Sequence, residues 1–480
     1  MLQQLMRPHL QAFLHAYKEL SFKDYFTRLL TTGTKPSAQL CAAIMDDLKH
    51  TYGAAAFQGR NVERMLLKPR HFFVANHGGI ENHPQLIAAS LLTQCAAATL
   101  GEDNFIFSCN LIHPQNQTAP LGFYLPADNT QPLGSDIALN FISRRYNNSF
   151  IYSIPALNAQ ETAKKLTPKL AQLELDSKRQ AALLKWRLPP GVDFCAQGAL
   201  HNTKLYAHFL QAAGNKTYFI NEERVALKLL LNYLNDPHSL LFKLLFTPDV
   251  LLALMRALAG AANAWDAQAL FCGSLRECED FLHTHDLRHF GTALFYFIDE
   301  RGDRHCMILH QEGNQLTLRA RNAAFALKPE VLYAALEQGR LLPNLFLVYF
   351  ILSLCAHATL IGGPFFAVYS QPMLTLPAQI LKHSSVPLPQ ANLLQSFILP
   401  FKVQDHKTRP HALLQSDLML LPPLEQHLLE KLMHQSLASA ADLSIAEELL
   451  RLDLNAAEIS ANEASLRAML DAPCTLGLEL

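Results

Sequence analysis

The sequence predicts an α/β fold: a mixed sheet surrounded by helices, an antiparallel three-stranded meander near 293–319, and helical N- and C-terminal segments. Three observations carry this. Short apolar runs at 71–75, 105–109, 150–154 and 191–196 read as buried strands. The stretches between them repeat apolar residues every three or four positions, the period of an amphipathic helix. From Ala293 onward, β-forming runs are separated by the turn sequences Glu300-Arg-Gly-Asp303 and Glu312-Gly-Asn314.

The elements follow in order. Leu10, Phe13, Leu14, Tyr17 and Leu20 form one apolar helical face, and Pro36-Ser37 opens a second helix running through Leu48. Phe72 to Ala75 is the first strand. It stops at Asn76-His77-Gly78-Gly79, and a helix begins after Pro84. Residues 110–136 are rich in Asn, Gln, Pro and Gly, a long polar loop of the kind that either carries function or runs over the surface. Residues 158–187 read as a charged helix pair, 191–198 as a strand ending in glycine, and Lys204 to Leu258 as nearly all helix. The run 345–361 reads as one buried helix ended by Gly362-Gly363-Pro364. In the last 60 or so residues, Ser444-Ile-Ala-Glu447 and Ser460-Ala-Asn-Glu463 have capping-box spacing. We divide the chain into a helical segment 1–66, an α/β core 67–290, a unit 291–424 of meander and apolar helices packed on it, and a helical segment 425–480.

Composition excludes several function classes. Half of the residues are apolar and 17% are charged, a folded balance rather than a disordered one. Lys plus Arg, 40, nearly equals Asp plus Glu, 41, and no basic run appears, so nucleic-acid binding is not expected. The nine cysteines include no CxxC pair, and several sit in apolar runs. With no signal peptide evident, a reducing, cytoplasmic setting is the expectation. The run 345–361 falls short of the roughly 20 residues that a membrane span needs. No transmembrane span is expected, although membrane contact or the lining of an acyl chain stays open for this segment. Gly-x-Ser-x-Gly, Walker-type, Gly-x-Gly-x-x-Gly and His-Glu-x-x-His motifs are all absent.

The strand-to-helix turn concentrates the chemistry: Asn76, His77, Glu81, Asn82 and His83 crowd one connection. Strand ends are rigid and helix N-termini electropositive, which is why open α/β sheets place sites at such turns. The same residues also suit a plain connection that caps a helix. Asn76-His77-x4-Asn82, followed by His83-Pro84 and an apolar helix, resembles the Asn-His-x4-Asp block of the glycerolipid acyltransferases. Asn140-Phe-Ile-Ser-Arg144 is similar to that family's Gly-x-x-Phe-Ile-Asp-Arg block, and Phe194-Cys-Ala-Gln-Gly-Ala199 to its Phe-Pro-Glu-Gly-Thr block. Asn82, Ser143 and Gln197 stand where the family has acidic residues, and Ala199 where it has threonine.

The resemblance implies acyl transfer to a hydroxyl or amine. His77 would be the general base, oriented by Asn82 or Glu81. Asn76, His83, Arg144, Gln197 and His201 would bind substrate, with Arg144 on a phosphate. The partners implied are an acyl donor, either acyl-CoA or acyl-carrier protein, and a small-molecule acceptor. No cofactor is required. Gln197 and His201 have a second reading, in a segment that follows a strand and precedes a long helix capped by Asn202 or Thr203. One alternative function is a metal-dependent hydrolase or transferase holding its ion with His77 and His83, joined by His113. The cluster His283-Thr-His285-Asp286-Leu-Arg-His289 is either a further metal site or a solvated connector. Another alternative is an acyltransferase-like scaffold that binds without catalysis.

Overall fold

The computed structural model describes residues 8–112, 122–126, 137–173, 175–259, 271–272, 276–277, 279–280, 293–313, 315–382, 401–404, 411–440, 456–461, 463–471 and 476–479. At its centre lies a four-stranded parallel sheet of β1 (His71–His77), β2 (Asn104–Cys109), β5 (Thr217–Asn221) and β13 (Thr359–Ile361), in the order β13-β1-β2-β5. Its strands are continuous apolar runs because both faces are covered. Phe72, Val74, Phe107 and Ile220 enter one hydrophobic cluster, while Phe73, Ile106 and Phe219 enter another on the opposite face.

Helices α1 (Pro8–Tyr17), α2 (Phe22–Thr31) and α3 (Ala38–Tyr52) precede the sheet, and Ser37 caps α3 by accepting from Leu40 N at 3.1 Å. The crossover from β1 to β2 runs through α4 (Pro84–Thr99). The charged pair is α5 (Ala159–Ala171) and α6 (Ser177–Lys185), capped by Asn158 and Asp176. Helix α7 (Phe194–Phe209) then leads into β5, and α8 (Glu222–Leu234) leaves it. Helices α4 and α7 contribute to the cluster around Phe73, and α8 to the cluster around Phe72. The chain therefore winds outward from β1 through β2 to β5, crosses to the other face, and returns β13 to the far side of β1. That reversal puts a topological switch point between β1 and β13.

A small antiparallel pair, β3 (Gly122–Leu125) with β4 (Ile137–Asn140), lies inside the span read as polar loop. The rest of that loop, including His113, falls outside the described residues. Antiparallel strands do follow residue 293, partitioned more finely than a single meander. β7 (Phe295–Ile298) pairs with β8 (Arg304–His305) around the expected turn and also with β12 (Leu341–Pro343). β9 (Ile308–Glu312), β10 (Gln315–Ala320) and β11 (Ala323–Ala326) form a second sheet, which β6 (Phe271–Cys272) joins in parallel. A third sheet combines β14 (Phe401–Gln404), β15 (His411–Ala412) and β16 (Leu476–Glu479).

Four expectations are corrected. Residues 151–153 form a 3-10 turn rather than a strand, closed by Ser153 N donating to Phe150 O at 3.0 Å and Ile154 N to Ile151 O at 3.1 Å. Residues 194–198 open α7 instead of forming a strand: Asp193 caps it, accepting from Ala196 N at 2.7 Å. The strand Thr217–Asn221 interrupts a stretch read as helical. The run 345–361 is not one helix. It is a short α-turn (Leu345–Tyr349), a π-helical stretch (Phe350–Cys355) and then β13, with His357 at φ +60° between them. The C-terminal segment also holds a strand, β16, besides its helices, and residues 444–447 lie outside the described residues. No helix among the described residues is long and apolar enough to cross a membrane.

Candidate functional site

The carboxyl ends of β1, β2 and β5 converge on one region, and local sequence explains how. The apolar run of β1 ends at His77, which is half-buried, and Gly78-Gly79 turns the chain. Gly79 sits at φ +82°, a conformation that favours glycine. Side chains are excluded on both sides of this turn. A Cβ on Gly78 would overlap the Asn110 carboxamide, and one on Gly198 of α7 would overlap the backbone of Gly79. Asn202, one helical turn beyond Gly198, holds the turn in place. Its Nδ2 donates to Gly79 O at 3.0 Å, and its Oδ1 accepts from Glu81 N at 3.2 Å and Gln415 Nε2 at 2.8 Å.

The structure thus brings the first and third sequence blocks together, through Gly79 and Gly198. The expected side chains are placed as follows. Asn76 pairs in register with Ser108, and His77 with Cys109. Glu81 is buried and accepts from Ser90 Oγ and Tyr206 OH, tying α4 to α7. Burial holds its carboxyl well above the usual range. Asn82 is buried and donates to Gly122 O, while its Oδ1 has no partner among the described residues. His83 is buried at the N-cap position of α4.

Gln197 is committed to the backbone: Oε1 accepts from Leu157 N at 2.8 Å, and Nε2 donates to Leu157 O and Pro189 O, each at 3.0 Å. His201 is buried against Trp186, whose Nε1 donates to its Nδ1 at 3.4 Å, and burial pushes the imidazole down to about 4. Asn202 and Thr203 do not cap the helix. Both lie within α7, with Thr203 Oγ1 donating to Thr217 O. Arg144 is exposed on the 3-10 turn Arg144–Tyr146, close enough to Lys169 to lower that ammonium's pKa after desolvation has done most of the work. Among the described residues, no three His, Cys, Asp or Glu side chains cluster as a metal site would require. His113 and the cluster 283–289 lie outside them.

Polar groups that sequence reasoning passed over lie at the carboxyl end of β5, beside the site. Asn221 ends β5 and caps α8, its Oδ1 accepting from Arg224 N at 2.9 Å. Glu222 and Glu223 follow, both fully buried. Glu223 accepts from Asn110 N, Asn110 Nδ2 and Leu111 N. Glu222 has no partner among the described residues. Burial raises both carboxyls, and the proximity of Glu223 raises Glu222 further. Beside them Arg224 bridges two carboxylates, Asp47 and Asp193, at 2.6 Å each. Burial pushes the Asp47 carboxyl up to about 6, against the pull of Arg224. The available signal was the sequence Asn221-Glu-Glu-Arg224 placed directly after an apolar Tyr-Phe-Ile run.

A narrow, partly open cavity sits among these groups, bounded by Gly78, Gly79, Ser108, Asn110, Cys195 and Asn221. Its inner space is of the order of a water molecule. Comparison with protein-family models gives no match, and comparison with curated proteins gives none either.

Proposed function

We propose that this chain is an acyl-transfer enzyme in which His77 takes a proton from the hydroxyl or amine of a small acceptor while an acyl-CoA or acyl-carrier thioester delivers the acyl group. One observation carries the reading: a half-buried imidazole stands at the carboxyl end of β1, a strand that flanks the switch point of a parallel sheet, and open α/β sheets bind ligands at that end. The residue corresponding to the family's orienting aspartate, Asn82, is directed at Gly122 O instead. His77 is in register with Cys109, whose neighbour Asn110 donates to Glu223. The buried free thiols of Cys41, Cys95, Cys195 and Cys306 suit a reducing compartment.

The test is thiol release from an acyl-CoA series, acetyl to palmitoyl, in the presence of small hydroxyl and amine acceptors. Wild type is expected to turn over at least one pair. His77→Ala is expected to lose about 10²- to 10⁴-fold in rate, as removal of a general base does, with its melting temperature unchanged. Full activity in that variant, or no turnover by wild type with any acyl thioester, rejects the reading.

A further inference from the structure

We infer that the cavity behind the Gly78-Gly79 turn is a binding subsite for a small neutral group that both donates and accepts a hydrogen bond, an alcohol hydroxyl or a primary amide. This stands apart from the acyl-transfer reading, because it concerns binding and involves neither His77 nor a thioester.

Two side chains that line the cavity each retain one unused polar atom. Asn110, 1% exposed, has no partner for its Oδ1 among the described residues. Asn221, 5% exposed, has none for its Nδ2. Both residues line the cavity. Their amide orientations are fixed by their other bonds. Asn110 Nδ2 donates to Ser108 O at 2.7 Å and to Glu223 Oε2 at 3.1 Å, so Oδ1 is the free end. Asn221 Oδ1 accepts from Arg224 N, so Nδ2 is the free end. Sheet register keeps the two walls together, since Asn221 pairs with Ser108, two residues before Asn110. The result is one buried acceptor and one buried donor on two residues that line the same cavity. Leaving both unmade costs free energy. A single group that supplies a donor to Asn110 and an acceptor to Asn221 satisfies both.

Charge narrows the class. Arg224 is already engaged by two carboxylates, Asp47 and Asp193, so its guanidinium is not offered to an entering carboxylate or phosphate. An ammonium lacks the acceptor that Asn221 Nδ2 needs. Size narrows it again, because an inner space of the order of a water molecule admits only the polar tip of such a group and no ring.

The experiment is ligand-detected NMR titration of the full chain with glycerol, acetamide, acetate and inorganic phosphate. Saturable binding of glycerol or acetamide, with none of acetate or phosphate, is expected, and whichever neutral probe binds tells hydroxyl from amide. Asn221→Ser retains a capping oxygen for α8 while removing the cavity-facing donor, so it should fold with the wild-type melting temperature and bind at least about tenfold more weakly. Binding of phosphate or acetate in preference overturns the inference. So does wild-type affinity in Asn221→Ser, or the absence of any saturable probe, which would leave the two side chains satisfied by a fixed water. Because no thioester is involved, loss of acyl transfer in His77→Ala with probe binding intact would leave the subsite standing, and the reverse result would remove the subsite alone.

Discussion

Gly198 lies so close against Gly79 that a Cβ on Gly198 would overlap the Gly79 backbone. That contact fixes where the β1 turn sits relative to α7, and with it the shape of the cavity. Gly198→Ala must push the turn and the helix apart or distort one of them. Overpacking of this kind costs about 1–3 kcal/mol. Urea denaturation should show that loss. A variant as stable as wild type would mean that the two backbones are farther apart than described.

Gln197 occupies the position at which the resembled family carries glutamate, so Gln197→Glu restores the family's residue. The structure predicts damage. Both protons on Nε2 are donated, to Leu157 O and Pro189 O, and a carboxylate supplies neither. Two acceptors lose their donor beside a buried charge, a cost of about 2–4 kcal/mol in stability. A drop in melting temperature is the expected result. A stable variant with raised turnover would instead place this side chain in the reaction.

These two positions show where the sequence was readable. The run Phe72–Val74 and the pair Gly78-Gly79 announced a strand ending in a tight turn, since few other structures use those residues in that order. The identity of Gln197 was visible but its task was not, because nothing local reveals that a side chain will bond to backbone 40 residues away. The segment 345–361 defeated periodicity for a physical reason. A run buried on every side is apolar at every position, whether it is helix, π-helix or strand. Thr217–Ile220 was hidden by the strongly helical sequences flanking it. Glu222 and Glu223 look like ordinary acids in the first turn of a helix, where they favour its dipole, and only packing shows that no water reaches them.

Asp417 anchors the segment 411–418 against α6. Arg179 Nη1 donates to its Oδ1 at 2.6 Å, while Leu414 N at 2.8 Å and His411 Nε2 at 3.0 Å reach Oδ2, all without solvent. Desolvation pushes the carboxyl up, but His411 and Arg179 outweigh it and hold it below the usual range. A depressed carboxyl gives stability that is present above its ordinary pKa and is lost as pH falls through the folded value. Asp417→Asn should therefore cost about 3–5 kcal/mol at neutral pH, by leaving a buried guanidinium uncompensated. The gap between variant and wild type should narrow below about pH 4. Denaturation midpoints measured at pH 7 and pH 3.5 check both statements, and an equal gap at the two pH values contradicts them.

Glu222 makes the opposite prediction. Its carboxyl is raised well above the usual range by burial, and then by the adjacent Glu223. The folded chain holds a proton that the unfolded chain releases once pH passes the ordinary carboxylate value, so this group costs stability as pH climbs toward the folded pKa. Glu222→Gln cannot ionise. Its amide has the same shape and gives a pH-independent offset, so the informative quantity is the slope. Removing one member of the pair also lets Glu223 ionise more easily, which relieves the same alkaline penalty. Stability of Glu222→Gln minus that of wild type should grow steadily from pH 5 to pH 9 in urea titrations. A flat difference would mean that the Glu222 carboxyl reaches water or is held as an anion by a partner.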